Sequence, residues 1–197
     1  MPQPAAPPLR LAVMLSGGGR TMVNLAQHAA DGQLPAIIVL AIASSQCAGV
    51  DRARGLGIPC VVMPGVIPAS ELRAVLDAHR AEAVALAGYL KFLNVPAGFE
   101  GRVVNIHPSL LPRHGGKGMY GHHVHESVLK SGDRVSGCTV HLVDGEFDHG
   151  EVLLQRTCPV LAGDSAESLA SRVFEQECLA YPEAISLLAA SWGRSRP

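Results

Sequence analysis

At 197 residues, 48% hydrophobic and 17% charged, the chain holds enough apolar material for one full core and too much for a disordered protein. A net charge of -1 and an aromatic content of 4% give neither the electrostatic footprint nor the stacking platforms of a nucleic-acid binder. The longest apolar run, residues 34–43, is half a membrane span. The five cysteines (47, 60, 138, 158 and 178) form no C-x-x-C pair, which reads as reduced thiols in a cytoplasmic setting rather than a disulfide framework or a zinc finger.

Residues 1–8 are a Pro/Ala tail expected to be disordered, with no secretory pattern behind it. Residues 9–16 (L-R-L-A-V-M-L-S) predict a first strand buried on both faces. Gly17-Gly18-Gly19 then lead into helical spacing at Met22, Leu25, Ala26 and Ala29. Strand, glycine turn and helix point backbone N–H groups at an anion. The third glycine of a dinucleotide fingerprint is replaced by Met22, and no Gly-Lys-Ser/Thr of a Walker loop follows. The turn therefore reads as a cradle for one phosphate monoester, or as a plain tight turn.

Strands at 36–44, 59–63 and 83–87 alternate with helices at 49–56 and 71–80, which implies a parallel sheet with right-handed crossovers. Gly88-Tyr89-Leu90-Lys91-Phe92-Leu93 follows the fourth strand. It could line a slot for a flat heterocycle or simply plug the sheet end.

The next strand, 103–107, carries the most informative pattern. V-V-N-I-H-P ends at Pro108, which has no ladder N–H and turns His107 away from helical geometry. The period of two puts Asn105 and His107 on one face at the carboxyl end of a parallel strand, where open α/β sheets bind ligands. An amide donor and an imidazole can hold a carbonyl oxygen as it becomes an oxyanion. The same two residues also fit a turn cap and a satisfied loop histidine.

Residues 113–121 (R-H-G-G-K-G-M-Y-G) predict a flexible glycine loop entering a helix at 122–131. His114, His122, His123 and His125 crowd there, but no cysteine, H-E-x-x-H or carboxylate partner completes a zinc site, so solvated or helix-entry histidines are expected and no metal. Strands at 136–143 and 152–159 pair across a loop holding Asp144, Glu146 and Asp148. Asp164-Ser165-Ala166-Glu167 predicts a capping box opening a helix to about 179, interrupted at Pro182 and resuming to 190. Residues 191–197 are expected to be loose, leaving 9–190 as a single domain.

The S-G-G-G turn, L-A-G-Y-L-K-F-L, N-I-H-P-S-L-L-P, S-G-C-T-V-H and F-D-H-G occur in this order. Together they resemble the folate-dependent formyltransferase family over about residues 9–190. The resemblance implies an α/β fold with a Rossmann-like open, mostly parallel sheet, helices on both faces, antiparallel or mixed C-terminal strands and a long C-terminal helix. It implies Asn105, His107 and Asp148 as the catalytic trio, with His141 beside them. Gly19, Arg20, Thr21 and Glu177 match residues that hold a phosphorylated amine substrate. Leu90, Lys91, Phe92 and Leu93, with the Asp144–Asp148 loop, match the folate pocket. The expected reactants are 10-formyltetrahydrofolate as co-substrate and glycinamide ribonucleotide, handled by a monomer or homodimer without nucleic acid or membrane. Gly18, Arg20 and Phe174 depart from the family's usual polar residues, and 115–121 lengthens its loop.

Two alternatives remain from the sequence. Relatives acting on methionyl-tRNA or an amino sugar carry a further domain, whereas this chain ends near 190 without a basic surface. A non-catalytic phosphosugar or nucleotide sensor has no reason to bring Asn105, His107 and an aspartate together.

Overall fold

The computed structural model describes residues 7–192. Leu9–Leu15 (β1) lies inside the sheet, and both of its faces are apolar; Leu11, Val13 and Leu15 point one way, Ala12 and Met14 the other, and all five are fully buried. Arg20–Ala30 (α1) follows, then Ala36–Ala43 (β2), Ala48–Gly55 (α2), Cys60–Val62 (β3), Ala69–Ala78 (α3), Ala83–Leu86 (β4) and Val103–His107 (β5). His122–Ser131 (α4), Val135–Leu142 (β6), Val152–Pro159 (β7) and Ala166–Trp192 (α5) complete the chain.

The seven strands lie in the order β3-β2-β1-β4-β5-β6-β7. The first five in this order pair in parallel, while β6 and β7 run antiparallel, as expected for an open α/β sheet with a mixed C-terminal edge. One face packs against α1, α2, α4 and α5 through residues such as Leu25, Val50, Val128 and Leu169. The other packs against Leu72 and Leu76 of α3. Each fully buried leucine contributes about 1.5–3 kcal/mol relative to exposure. No helix among the described residues is long and apolar enough to cross a membrane.

Three local expectations change. The C-terminal helix is continuous through Pro182. Proline removes the N–H that would bond Cys178, four residues back, and the Asn24 amide of α1 fills that role, donating to the Cys178 carbonyl at 2.9 Å. Buried Tyr181 holds the same turn, its hydroxyl within hydrogen-bonding distance of the Leu86 and Val104 carbonyls at 2.9 and 3.1 Å.

The capping box is Ser165 with Ser168, each hydroxyl accepting the other's backbone N–H, while Asp164 pairs with Arg172. Ser191 and Trp192 belong to α5 rather than to a loose tail, and the Trp192 indole donates to the Gly101 carbonyl at 3.0 Å. The expected tails at 1–6 and 193–197 lie outside the described residues.

Candidate active site

The carboxyl ends of β4 and β5 open into a cavity of about 570 Å³. Asn105 and His107 stand on β5, and the antiparallel register sets His141 of β6 directly opposite Asn105. Asp148 reaches the same point from the β6–β7 loop, with its backbone in the left-handed region at φ 53°.

Asn105 Nδ2 lies 3.1 Å from His141 Nε2 and 3.4 Å from Asp148 Oδ1. His141 Nδ1 faces the Leu142 carbonyl at 2.8 Å, so its partners assign the proton to Nδ1 and leave Nε2 to accept from Asn105. His107 Nδ1 lies 3.3 Å from Asp148 Oδ2, and His107 Nε2 faces the His114 carbonyl at 2.9 Å. These are direct contacts, which removes the wide separation that a mere sensor would show.

Burial is the largest influence on His107 and pulls its pKa below the ordinary 6.5, although the Asp148 carboxylate pushes upward. The Asp148 charge thus favours the protonated ring, but burial outweighs it. Burial alone would raise the Asp148 carboxyl, yet the neighbouring His141 ring, the field of His107 and the Gly116 N–H together hold it below its usual value.

The part of the cavity expected to hold an anion lies at the start of α1, where Arg20 and Thr21 line the wall. The helix's first backbone bond runs from Val23 N–H to the Gly19 carbonyl, so the preceding N–H groups have no intrahelical acceptor. Gly19 itself has φ 72°, and a β-carbon there would sit 2.8 Å from the Gly49 α-carbon. Its glycine is thus required by the backbone and by packing on α2 before any ligand is considered. The Arg20 guanidinium stacks 3.7 Å above the Phe174 ring. Those two departures from the family pattern are partners. Glu177 lines the cavity beside them; burial pushes its carboxyl up to about 7, with Arg20 pulling it down.

Leu90, Lys91, Phe92 and Leu93 also line the cavity, with Phe92 meeting Phe147 edge-to-face at 5.3 Å between ring centres. Asp144 is at this wall too, accepting from His149 and from the Glu146 N–H, both at 2.8 Å. All the residues expected at the site line this one cavity except Gly19, which is buried, and Gly145 of the 144–148 loop.

The family model described as Formyl transferase matches residues 9–185. The chain belongs to the formyl transferase family. Phosphoribosylglycinamide formyltransferases named as chloroplastic, from Vigna unguiculata and Arabidopsis thaliana, are 42% and 41% identical to this chain, each match covering 91% of it. The chain spans 60% and 65% of the length of those two relatives. The solved glycinamide ribonucleotide transformylase 1 of Symbiobacterium toebii superposes with a TM-score of 0.85 at 33% identity, covering 93% of this chain and 89% of that one.

Sequence reasoning did not separate the histidines of residues 114–125. His122 and His123 are exposed and approach Glu126 at 3.1 and 3.6 Å. His125 turns inward, 4% exposed, lines the cavity and has its pKa lowered to about 4, chiefly by burial. It lies three residues from His122, but on the side of α4 that Val124 and Val128 bury. Among the described residues no three histidine, cysteine or acidic side chains gather in a metal-holding group.

Proposed function

We propose that the protein transfers the formyl group of 10-formyltetrahydrofolate to the primary amine of glycinamide ribonucleotide. The products are formylglycinamide ribonucleotide and tetrahydrofolate, a step of de novo purine biosynthesis. The observation that carries this reading is the contact between Asn105, His107 and Asp148 in the same cavity as the Arg20–Thr21 helix start. The names of the relatives and of the solved neighbour support it.

In this reading the amine nitrogen attacks the formyl carbon and its oxygen becomes an oxyanion. Asn105 keeps its 3.1 Å bond to His141 and exchanges the longer 3.4 Å contact with Asp148 for the oxyanion. The new negative charge offsets the burial that disfavours protonated His107, so the ring can hold, by exchange with Asp148, the proton that the amine gives up until the folate nitrogen takes it. Asp148 takes the amine proton, directly or through water, and passes it to the folate nitrogen as the carbon–nitrogen bond to it breaks. One carbon–nitrogen bond forms, one breaks, and one proton moves between the two nitrogens. The Arg20–Thr21 end holds the phosphate and so aligns the amine, while Leu90 to Leu93 and Asp144 receive the folate. Glu177 contacts the ribonucleotide, and no step calls for a metal.

We read residues 9–192 as one domain acting on small molecules alone, as a monomer or homodimer. Five unpaired cysteines suit a reducing compartment such as the cytoplasm. The test is to mix the protein with 10-formyltetrahydrofolate and glycinamide ribonucleotide and follow tetrahydrofolate release. Turnover with this pair is expected. Turnover only with methionyl-tRNA or an amino sugar would overturn the choice of amine.

A further inference from the structure

The reaction as described makes no use of the side chain of His114. Its backbone is left-handed, with φ 56°, and its carbonyl meets His107 Nε2 at 2.9 Å. Two residues on, the Gly116 N–H donates to Asp148 Oδ2 at 3.0 Å. Between them Gly115 has no room for a β-carbon, which would run into the Leu111 side chain and lie 3.3 Å from the Asp148 β-carbon. Three consecutive residues therefore grip both His107 and Asp148 through their backbone alone.

The His114 side chain anchors that grip. Its Nδ1 lies 2.8 Å from Ser127 Oγ on α4, and its Nε2 lies 2.9 Å from Asp133 Oδ2. The other Asp133 oxygen accepts from Arg113 Nη2 at 2.6 Å. Gly132 closes α4 in the left-handed conformation, so Asp133 emerges directly beside the ring. The His114 and Asp133 side chains are only 11% and 14% exposed. A carboxylate on one ring nitrogen and a hydroxyl on the other fix the imidazole in position and rotation, and the carbonyl of the same residue is fixed with it.

We propose that His114, Ser127 and Asp133 are positioning residues that hold the His114 carbonyl against His107 Nε2, and so determine which nitrogen of the His107 ring keeps its proton. This rests on His107 acting in the transfer. With the carbonyl in place, the neutral ring keeps its proton on Nε2, and Nδ1 is the nitrogen that exchanges a proton with Asp148. The titratable groups facing the ring are Asp148 from the β6–β7 loop, His141 from β6, His114 itself and His125 from α4. Of these, Asp148 is carried by the β6–β7 loop and has its own contact with Asn105 outside the anchor, whereas the carbonyl acceptor belongs to the anchored segment itself.

Histidine nitrogen NMR on the full chain reads the tautomer and titration of His107 directly. The parent protein should show neutral His107 as the Nε2–H form. His114→Asn uses a residue that tolerates the left-handed backbone but cannot span both partners. It and Asp133→Asn should each mix in the Nδ1–H form and move the His107 midpoint to lower pH, since an acceptor that favours the protonated ring is lost. Both should lower kcat on the order of 10-fold, the low end for outer partners of functional histidines, with both KM values near the parent's. The double variant should be no worse than the more damaged single one, because all three side chains act through one contact.

An unchanged His107 tautomer and midpoint in folded Asp133→Asn protein would overturn the assignment. If that variant does not fold, Ser127→Ala deletes a single hydroxyl and must shift His107 in the same direction. A parent with the expected tautomer but no transfer to the ribonucleotide counts against the reaction and supports the anchor.

Discussion

The two ends of the cavity are built differently. At the β5–β6 corner His107, His141 and Asp148 are each tied to two or more protein groups, and Asn105 bridges two of them. At the α1 end the cavity is lined by Thr21, Glu177 and Arg20, whose guanidinium stacks on Phe174, and the first N–H groups of the helix have no intrahelical acceptor. Bond-making demands that reacting groups be held in place beforehand, since small misplacements are costly. Holding an anion demands donors that are not already satisfied. The corner is cross-braced, while the helix start keeps its donors available.

The largest effect should come from cutting the braced corner. Asp148→Asn keeps a side chain that tolerates φ 53° but removes the charge and the proton acceptor. We expect kcat to fall roughly 10²–10⁴-fold with the fold retained. Near-normal kcat from about pH 6 to 9 would take Asp148 out of the mechanism.

At the other end, Thr21→Val should raise KM for the ribonucleotide by about 10- to 100-fold, the value of one charge-assisted hydrogen bond, and leave the folate KM alone. A dephosphorylated substrate should show no such change. Gly19→Val is a poor probe of the same point, because the clash with Gly49 and the positive φ would lower the melting temperature as well.

Glu177 gives a smaller effect, read in stability. Burial lifts its folded pKa from the ordinary 4.5 to about 7, so the folded state resists its ionisation. The sign follows: stability falls as pH rises between these two values, by at most about 1.4 kcal/mol per unit, and is flat above them. Glu177→Gln should therefore match the parent's melting temperature near pH 4.5 and exceed it near pH 8. Parallel curves at all pH values would contradict the burial assigned to this carboxyl. The smallest effect concerns the histidines outside both ends: extensive chelation should leave activity and melting temperature unchanged, and a stoichiometric metal lost with activity would reverse that reading.

Much of the corner was legible because its spacing is local. Alternation places Asn105 and His107 on one face of β5, and Pro108 ends the strand where the sheet opens. The strands were legible for the same reason, and the observed β4 and β5 lie within the expected bounds. What sequence could not supply was contact between distant residues. Pro182 argues for a break in α5, and the helix continues through contacts from elsewhere in the chain, the Asn24 amide of α1 taking the freed Cys178 carbonyl. Arg20 and Phe174 are separate oddities until the two helices meet. His114 and Asp133 sit 19 residues apart, and no periodicity links a loop histidine to a residue beyond the next helix.

The central claim is that the braced corner moves a formyl carbon directly from one nitrogen to another. Carbon NMR with the formyl group of the folate isotopically labelled tests it without a coupled assay. The account predicts that the label moves to the amine nitrogen of glycinamide ribonucleotide, with one tetrahydrofolate released per formamide formed. Label appearing instead as free formate, at the same rate with or without the ribonucleotide, would show that water and not the amine is the acceptor, and would contradict the account.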